Sequence, residues 1–581
     1  MRSIAKESYM GTSVLLSAVS PSHLLFRCHT LKSELTSETG QAVYSRLKTG
    51  KADPPIPWGS ARAGFVAETR EDAIESLQRI ADFLTLDPTT KSWTHPRGIF
   101  YRQTGLDPTG KTVALFSGQG GQYTEMGSSL QTLFPFIKQG YYHMDSLLEE
   151  IGLTPISTIL FPNHRLSKEE VILSENTLKR TEYTQPAIGV FNPALYRILE
   201  RLGLETQMTA GMSCGELPAL WGAGALSDEH FFDLVRCRGR AMSQANGVSE
   251  EAEAMMAVTG DVDAITAKVE TVENVFVEAW NSKNQVVLAG LKKRLQELQY
   301  IFQDRGWAAY MLSVSGAFHS PFMENARRIF AEHVHDTPFT PPKIPVYSNV
   351  TAAPYPEDPH AVKEMLIEQI VRPIRFKEQI ENIYTAGGSR FIEFGPKNIV
   401  TSLVDAILGD KGHGAVALNS GNRRRSNVHE CIQSCTLRLA GHAPIPCHSV
   451  NISLEGVRLT GLPRTLKEGL KKVSILFHLT GHQEPIEGRM VWRQGRFAGV
   501  QLSRGEKVRT LLKRLGYDET NNPKPVFAKA CCRQLQEAVV NLIVTGLSLN
   551  PLERLLDGTI ESPGFSLPGE TVCSRVPANY R

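Results

Sequence analysis

Apolar and polar positions change rhythm along the chain. Between residues 1 and 110, two short apolar runs of strand type, Val14–Ala18 and Ala63–Ala67, flank one good amphipathic stretch, Glu71–Leu84, and Pro54, Pro55, Pro57 and Pro88 punctuate the rest. This predicts a small adaptor rather than a large core. From 111 to 410 the strand candidates Val113–Phe116, Gln207–Ala210, Phe276–Ala279, Gln285–Ala289, Met311–Val314 and Arg390–Glu393 are separated by helical stretches. Such alternation predicts the α/β class, a parallel sheet covered by helices. Within it, Ala254–Val269 reads as strand then helix and Val275–Leu298 as two strands then helix, an inserted ferredoxin-like subdomain of the split βαβ kind at about 254–315. Residues 409–425 carry Gly and polar residues and then a basic run, a plausible junction. From 421 to 503 short β-type runs recur (Cys435–Leu439, Gly456–Leu459, Val473–Leu479, Gly488–Trp492, Phe497–Leu502), the pattern of a small antiparallel β-barrel. Residues 504–581 read as a helical extension ending in a loose tail rich in Pro, Gly and Ser.

Composition narrows the classes. With 581 residues, 41% hydrophobic and 21% charged, the chain is neither collagen-like, mucin-like nor wholly disordered. A net charge of +3 hides a split: residues 421–581 hold 23 Lys and Arg against 13 Asp and Glu, so a mildly acidic body joins a basic C-terminal segment. Nine cysteines without regular spacing fit a reducing compartment, and no segment has the pattern of a secretion signal or a membrane span. The expectation is a cytoplasmic protein with neither nucleic acid nor membrane as partner.

The sharpest motif is Gly211-Met212-Ser213-Cys214-Gly215-Glu216, placed between a strand candidate and a helix candidate. Gly-x-Ser-x-Gly in that context permits a strained turn that lifts a serine oxygen to the head of a helix, although the bare pattern also occurs as a simple glycine turn. The best candidate base among 16 histidines is His319, in Ser315-Gly316-Ala317-Phe318-His319-Ser320, just after a strand candidate; a plain surface-loop histidine is the competing reading. The glycine-rich turn Ser117–Gln122 can aim a backbone N–H at an oxyanion. It could also cradle phosphate, but it lacks the Gly-Lys-Ser/Thr ending of a P-loop.

Here the residues match a family. GQGGQ, TQPA (Thr184–Ala187), GMSCGE, CRGRAM (Cys237–Met242), NQVVLAG (Asn284–Gly290), SGAFHS and FIEFGP (Phe391–Pro396) come in the order of malonyl-CoA:acyl-carrier-protein transacylases and of the acyltransferase domains of polyketide and polyunsaturated fatty acid synthases. The resemblance covers about residues 111–410. It implies the acyltransferase fold, an α/β-hydrolase-like parallel sheet with a small ferredoxin-like subdomain. It implies Ser213 as the acylated nucleophile and His319 as its base, oriented by a backbone carbonyl at the position of Gln369. The N–H groups of Gln119 and Cys214 would form the oxyanion hole. Arg238 would pair with the free carboxylate of a malonyl group, with Gln185 close by; a guanidinium grips a carboxylate through two parallel hydrogen bonds, which lysine cannot copy. Phe318 should crowd a branched methyl and so favour malonyl over methylmalonyl. Met212 departs from the family, which usually has histidine before the nucleophile. No bound cofactor or metal is implied; malonyl-CoA is the substrate and an acyl carrier protein the partner.

The flanks carry two further resemblances. Leu16-Ser17-Ala18-Val19-Ser20-Pro21 and Arg62–Ala67 resemble the linker between ketosynthase and acyltransferase domains. The ketosynthase itself is absent from the sequence, so the expectation is a discrete acyltransferase that loads carriers on other polypeptides, with ketosynthase or synthase subunits as further partners. Asn451-Ile452-Ser453-Leu454-Glu455-Gly456 resembles the Asp/Asn-x-Ser-x-x-Gly motif of PilZ domains, which bind cyclic di-GMP; Arg424 and Arg425 resemble part of their arginine arm, whose second arginine is missing here. Arg424, Arg425, Asn451, Ser453 and Gly456 are therefore the candidate nucleotide-binding residues, and cyclic di-GMP the candidate effector. The cluster His429, Cys431, Cys435, His442, Cys447 and His448 fits no paired zinc pattern. Two alternatives stand beside acyl transfer: an acyl hydrolase that clears stalled carriers, and a cyclic di-GMP-responsive regulatory protein whose acyltransferase part is a scaffold.

Overall fold

The computed structural model describes residues 10–49, 56–95, 97–162, 167–245, 252–312, 314 and 316–420, the strands and short stretches of 429–511 named below, and 527–550. The chain divides into two compact units, residues 1–421 with 526–581, and residues 422–525.

The first unit begins with strand β1 (Thr12–Ala18), helix α1 (Pro21–Thr36), β2 (Ala61–Ala67), helix α2 (Arg70–Leu86), β3 (Ser92–His95) and β4 (Ile99–Arg102). The strands form an antiparallel sheet in the order β1-β2-β4-β3. Local chemistry starts both helices: Ser20 caps α1 by accepting from His23 N–H, and Thr69 caps α2 by accepting from Asp72 N–H. The sheet alternates between its faces. Val14, Leu16 and Phe65 pack with Leu24 of α1 and Leu77 of α2, while Leu15, Val66 and Phe100 point the other way.

The central part follows with β5 (Lys111–Phe116), the buried helix α3 (Thr181–Arg201), β6 (Met208–Gly211), α4 (Glu216–Gly222) and α5 (Asp228–Ala245). An antiparallel insert comes next: β7 (Glu253–Thr259), α6 (Val262–Val269), β8 (Val275–Ser282), β9 (Gln285–Leu291), α7 (Lys292–Asp304) and β10 (Ala308–Met311), with strand order β10-β7-β9-β8. The fourth strand lies at 308–311, upstream of the Met311–Val314 expected from the apolar pattern, because pairing with β7 runs from Ala308↔Thr259 to Met311↔Met256. Then β11 (Val346–Tyr347), β12 (Gly388–Pro396) and β13 (Gly414–Asn419) complete a five-stranded sheet in the order β11-β6-β5-β12-β13. Every pairing in it is parallel, so both faces are covered and its strands read as apolar runs. Helices α3 and α5 approach closely, since a Cβ at Gly189 would lie 2.5 Å from Val235.

The second unit contains β14 (His429–Glu430), β15 (Ser434–Leu439), β16 (Ile445–Ile452), β17 (Gly456–Thr460), β18 (Lys472–Phe477), β19 (Ile486–Gln494) and β20 (Phe497–Leu502). They run antiparallel in the order β14-β16-β15-β18-β19-β20-β17, and β17 also pairs with β16. Leu437, Leu459, Ile475 and Phe477 form part of its own core.

The chain then returns to the first unit through α8 (Phe527–Thr545). The apolar pattern of 504–581 reads as a helical extension, and the structure shows where its helix docks. One stripe of α8, with Leu535, Val539 and Leu542, joins the main core; another, Val540 and Val544, covers Leu15, Val66 and Phe100 of the N-terminal sheet. Gly64 makes room for it, because a Cβ there would lie 2.7 Å from Val540. Gln536 donates to Gly11 O and Ser13 Oγ, and Leu106 N–H donates to Thr545 O. Among the described residues no helix is long and apolar enough to cross a membrane.

Candidate active site

The site is built where β5 and β6 end. Gly211 closes β6, and the chain turns at once into Ser213–Gly215 and α4. Ser213 has φ +54°, a left-handed conformation that costs a non-glycine residue of order 1–3 kcal/mol. The turn tolerates no side chain at either glycine. A Cβ at Gly211 would sit 1.9 Å from Gly215 O, and one at Gly215 2.1 Å from Phe116 O. The Ser117–Gln122 turn after β5 leans on the same elbow, where a Cβ at Gly118 would lie 2.4 Å from Met212 O.

Ser213 Oγ lies 2.7 Å from His319 Nε2, and His319 Nδ1 lies 2.7 Å from Gln369 O. A carbonyl oxygen only accepts, so Nδ1 carries the proton and Nε2 offers its lone pair to the serine. His319 is buried and also left-handed, at φ +51°. Burial, with the Arg238 charge adding to it, lowers its basicity to a pKa of about 3, so the imidazole is neutral at neutral pH. Gln119 lies in the turn after β5 and Cys214 directly follows Ser213 in the elbow, and the backbone N–H groups of both partly offset the effect of burial on the Cys214 thiol. Burial raises the Cys214 thiol, so it is no competing nucleophile.

Arg238, on α5, is 1% exposed. Its Nη2 donates to Gln369 Oε1 at 2.9 Å, and its Nε and Nη1 have no protein partner. Gln185, on α3, donates to Met242 Sδ at 3.3 Å, and its Oε1 is also buried without a partner. Phe318 is buried beside the base. Unsatisfied guanidinium donors inside a protein cost several kcal/mol unless a ligand completes them. The unpartnered nitrogens are donors only, so the site is complementary to oxygen acceptors.

Asn349, Tyr355 and Gln379 give no sequence signal, and the motif residue Glu216 carries no role legible from it, because their hydrogen bonds join segments 30 to 153 residues apart in the chain. Asn349 Oδ1 accepts from Ser213 N–H at 2.8 Å, and its Nδ2 donates to Gly211 O at 2.7 Å, pinning the elbow from both sides. Glu216 is fully buried; its carboxyl, pushed up by burial to about 7, accepts from Tyr355 Oη at 2.5 Å, Gln369 Nε2 at 2.7 Å and Asn349 N at 3.2 Å. Gln379 Nε2 donates to Tyr347 O at 2.7 Å, while its Oε1 accepts from Asn349 Nδ2 at 3.4 Å. The side chain of Gln369 is occupied within the protein, since Nε2 also donates to Ser213 O at 2.7 Å. Of the candidate nucleotide residues, Arg424, Arg425 and Ser453 lie outside the described residues, and Asn451 and Gly456 are placed only as strand positions, opposite Arg458 and Gln501. Asp233 and Cys237 on α5 and His333 also gather potential metal-binding atoms within 4.8 Å, but the Asp233 carboxylate already holds Arg236 at 2.5 Å.

Comparison with known proteins agrees with this geometry. The family model described as "Acyl transferase domain" matches residues 113–435. A polyunsaturated fatty acid synthase polypeptide of Thraustochytrium sp. is 31% identical over 395 residues, 66% of this chain and 14% of that protein. Malonyl CoA-acyl carrier protein transacylase of Bacillus subtilis is 33% identical over 303 residues, 51% of this chain and 90% of that one. Among solved structures, the acyltransferase domain from the second module of the salinomycin polyketide synthase superposes with a TM-score of 0.52 at 27% identity, over 70% of this chain and 89% of that domain. The chain thus spans only a small part of the large synthase and nearly all of the free-standing transacylase. The chain belongs to the acyl transferase domain family.

Proposed function

We propose that the chain moves a malonyl group from malonyl-CoA to the phosphopantetheine thiol of an acyl carrier protein, through an ester on Ser213. The observation that carries this reading is Arg238, a buried cation with two unpartnered donor nitrogens, on an element adjoining the Ser213–His319 pair. A buried cation with free donors is matched by an acyl group that brings a negative charge.

The steps follow from the geometry. His319 Nε2 takes the Ser213 proton as Oγ attacks the thioester carbon. The N–H groups of Gln119 and Cys214 receive the oxyanion. The C–S bond breaks, and the departing CoA sulfur takes the proton from His319. In the second half the carrier thiol gives its proton to His319 and attacks the ester, and Ser213 leaves with that proton. The substrate carboxylate also assists the base. Arg238 disfavours a charged His319, and a carboxylate seated on Arg238 cancels that repulsion when the imidazolium forms.

The test supplies malonyl-CoA and a carrier protein as a separate polypeptide, which also examines action in trans. Malonyl-carrier is expected, with Arg238→Ala reducing malonyl transfer at least about tenfold relative to acetyl transfer, one lost charge-assisted pair. Release of free malonate with no loaded carrier would favour the acyl hydrolase instead. For the second unit, equilibrium titration of the full chain with cyclic di-GMP tests the nucleotide reading; absence of binding would remove it.

A further inference from the structure

Resting on the reading of a carboxylate-bearing acyl group, we infer that Glu216 is a positioning residue: the buried counter-ion of Arg238, acting through the Gln369 amide to aim the guanidinium and so set the preference for an acyl group with a free carboxylate.

Three observations carry it. First, Glu216 is met by donors: Tyr355 Oη, Asn349 N and Gln369 Nε2, with the Ser348 side chain adding to them. A carboxyl group ringed by donors is favoured in its acceptor, ionised form, against the burial that pushes it up to about 7. Secondly, one amide joins the two buried charges. Gln369 gives Nε2 to Glu216 and presents Oε1 to Arg238. A half-turn of that amide would set NH2 against guanidinium and oxygen against carboxylate, two repulsive contacts. The acceptor character of Glu216 therefore fixes the amide, and the amide fixes Nη2. Thirdly, with Nη2 held, Nε and Nη1 remain for a ligand. The ionisable groups acting on the guanidinium are Cys214, Glu216 and Tyr355. Burial raises all three, and Glu216, at about 7, is the one of them that ionises near neutrality, while the raised Cys214 thiol and Tyr355 phenol stay neutral there.

Gln369 also holds His319 through its backbone carbonyl, so a general loosening of Gln369 would slow every acyl donor alike. A counter-ion role slows one class more than another, and the experiment uses that difference. Ser213 acylation by malonyl-CoA and by acetyl-CoA is timed by quenched-flow and intact mass in the full chain, in Glu216→Gln, in Arg238→Ala and in the double variant. For Glu216→Gln the malonyl-to-acetyl ratio of kcat/KM is expected to fall by at least about tenfold, mostly through KM. In the Arg238→Ala background the same substitution should add less than about twofold, because coupled residues are not additive. Equal losses on both donors, or additive losses, would overturn the inference. If Glu216→Gln fails to fold, Tyr355→Phe, which leaves the carboxylate and deletes one donor, should lower the same ratio; an unchanged ratio would also overturn it. Absence of a malonyl ester on the unaltered chain defeats the proposed function as well. A ratio lost in Arg238→Ala and kept in Glu216→Gln defeats the counter-ion role alone.

Discussion

His319 shows how one side chain is set by its surroundings. Its tautomer follows from the carbonyl of Gln369, and its low basicity from burial and from Arg238. A histidine at its ordinary value would give an acid limb in the rate near pH ~6.5. Here the folded value lies near 3, so acylation by acetyl-CoA should show no limb near neutrality. Arg238→Ala should move the limb upward in pH, because the substitution deletes a charge that opposes the imidazolium. The same shift links to stability. The unfolded chain binds a proton at this histidine between about pH 6.5 and the folded value, and the native state does not. Stability from this group is thus complete above ~6.5 and is lost as pH falls through that window. Gly211→Ala should abolish soluble folded protein, or cost several kcal/mol in a denaturant melt, because its Cβ would overlap the Gly215 carbonyl. Ser213, His319 and Arg238 were legible in the sequence because motifs mark them. Asn349, Tyr355 and Gln379 were not, since each acts through a hydrogen bond across chain separation that no local pattern encodes.

At the scale of elements, period and run length found most strands of the central sheet. The two-residue β11 and the edge strand β13 escaped: one is too short for a period, and the other is a single apolar run indistinguishable from a buried turn of helix. Helix α8 was legible as a helix, but its docking was not, because amphipathicity shows that a face is buried and not against what. Its two stripes make separate predictions. Leu542→Ala, in the main core, should lower unfolding free energy by about 2–5 kcal/mol in a denaturant melt. Val540→Asp should instead raise amide hydrogen exchange in β2 and β4, which α8 covers, more than in β5 and β6. Uniform exchange across both sheets would show that α8 does not bind the two parts independently.

At the scale of the whole molecule, residues 422–525 form a unit between two segments of another. The flanking segments meet again inside the first unit, where Asn419 Nδ2 donates to Gln534 Oε1 at 3.4 Å. Replacing 422–525 by a short Gly/Ser connection should therefore leave Ser213 acylation within about threefold of the full chain, since a flexible connection between near ends costs little closure entropy. A complete loss would make the second unit part of the catalytic apparatus. The central claim is that this elbow serine carries a carboxylate-bearing acyl group. Intact-protein mass after mixing with malonyl-CoA tests it most directly. One malonyl ester, absent from Ser213→Ala and discharged by a carrier protein thiol, is the expected result; no adduct on the full chain, or an adduct that survives Ser213→Ala, would contradict it.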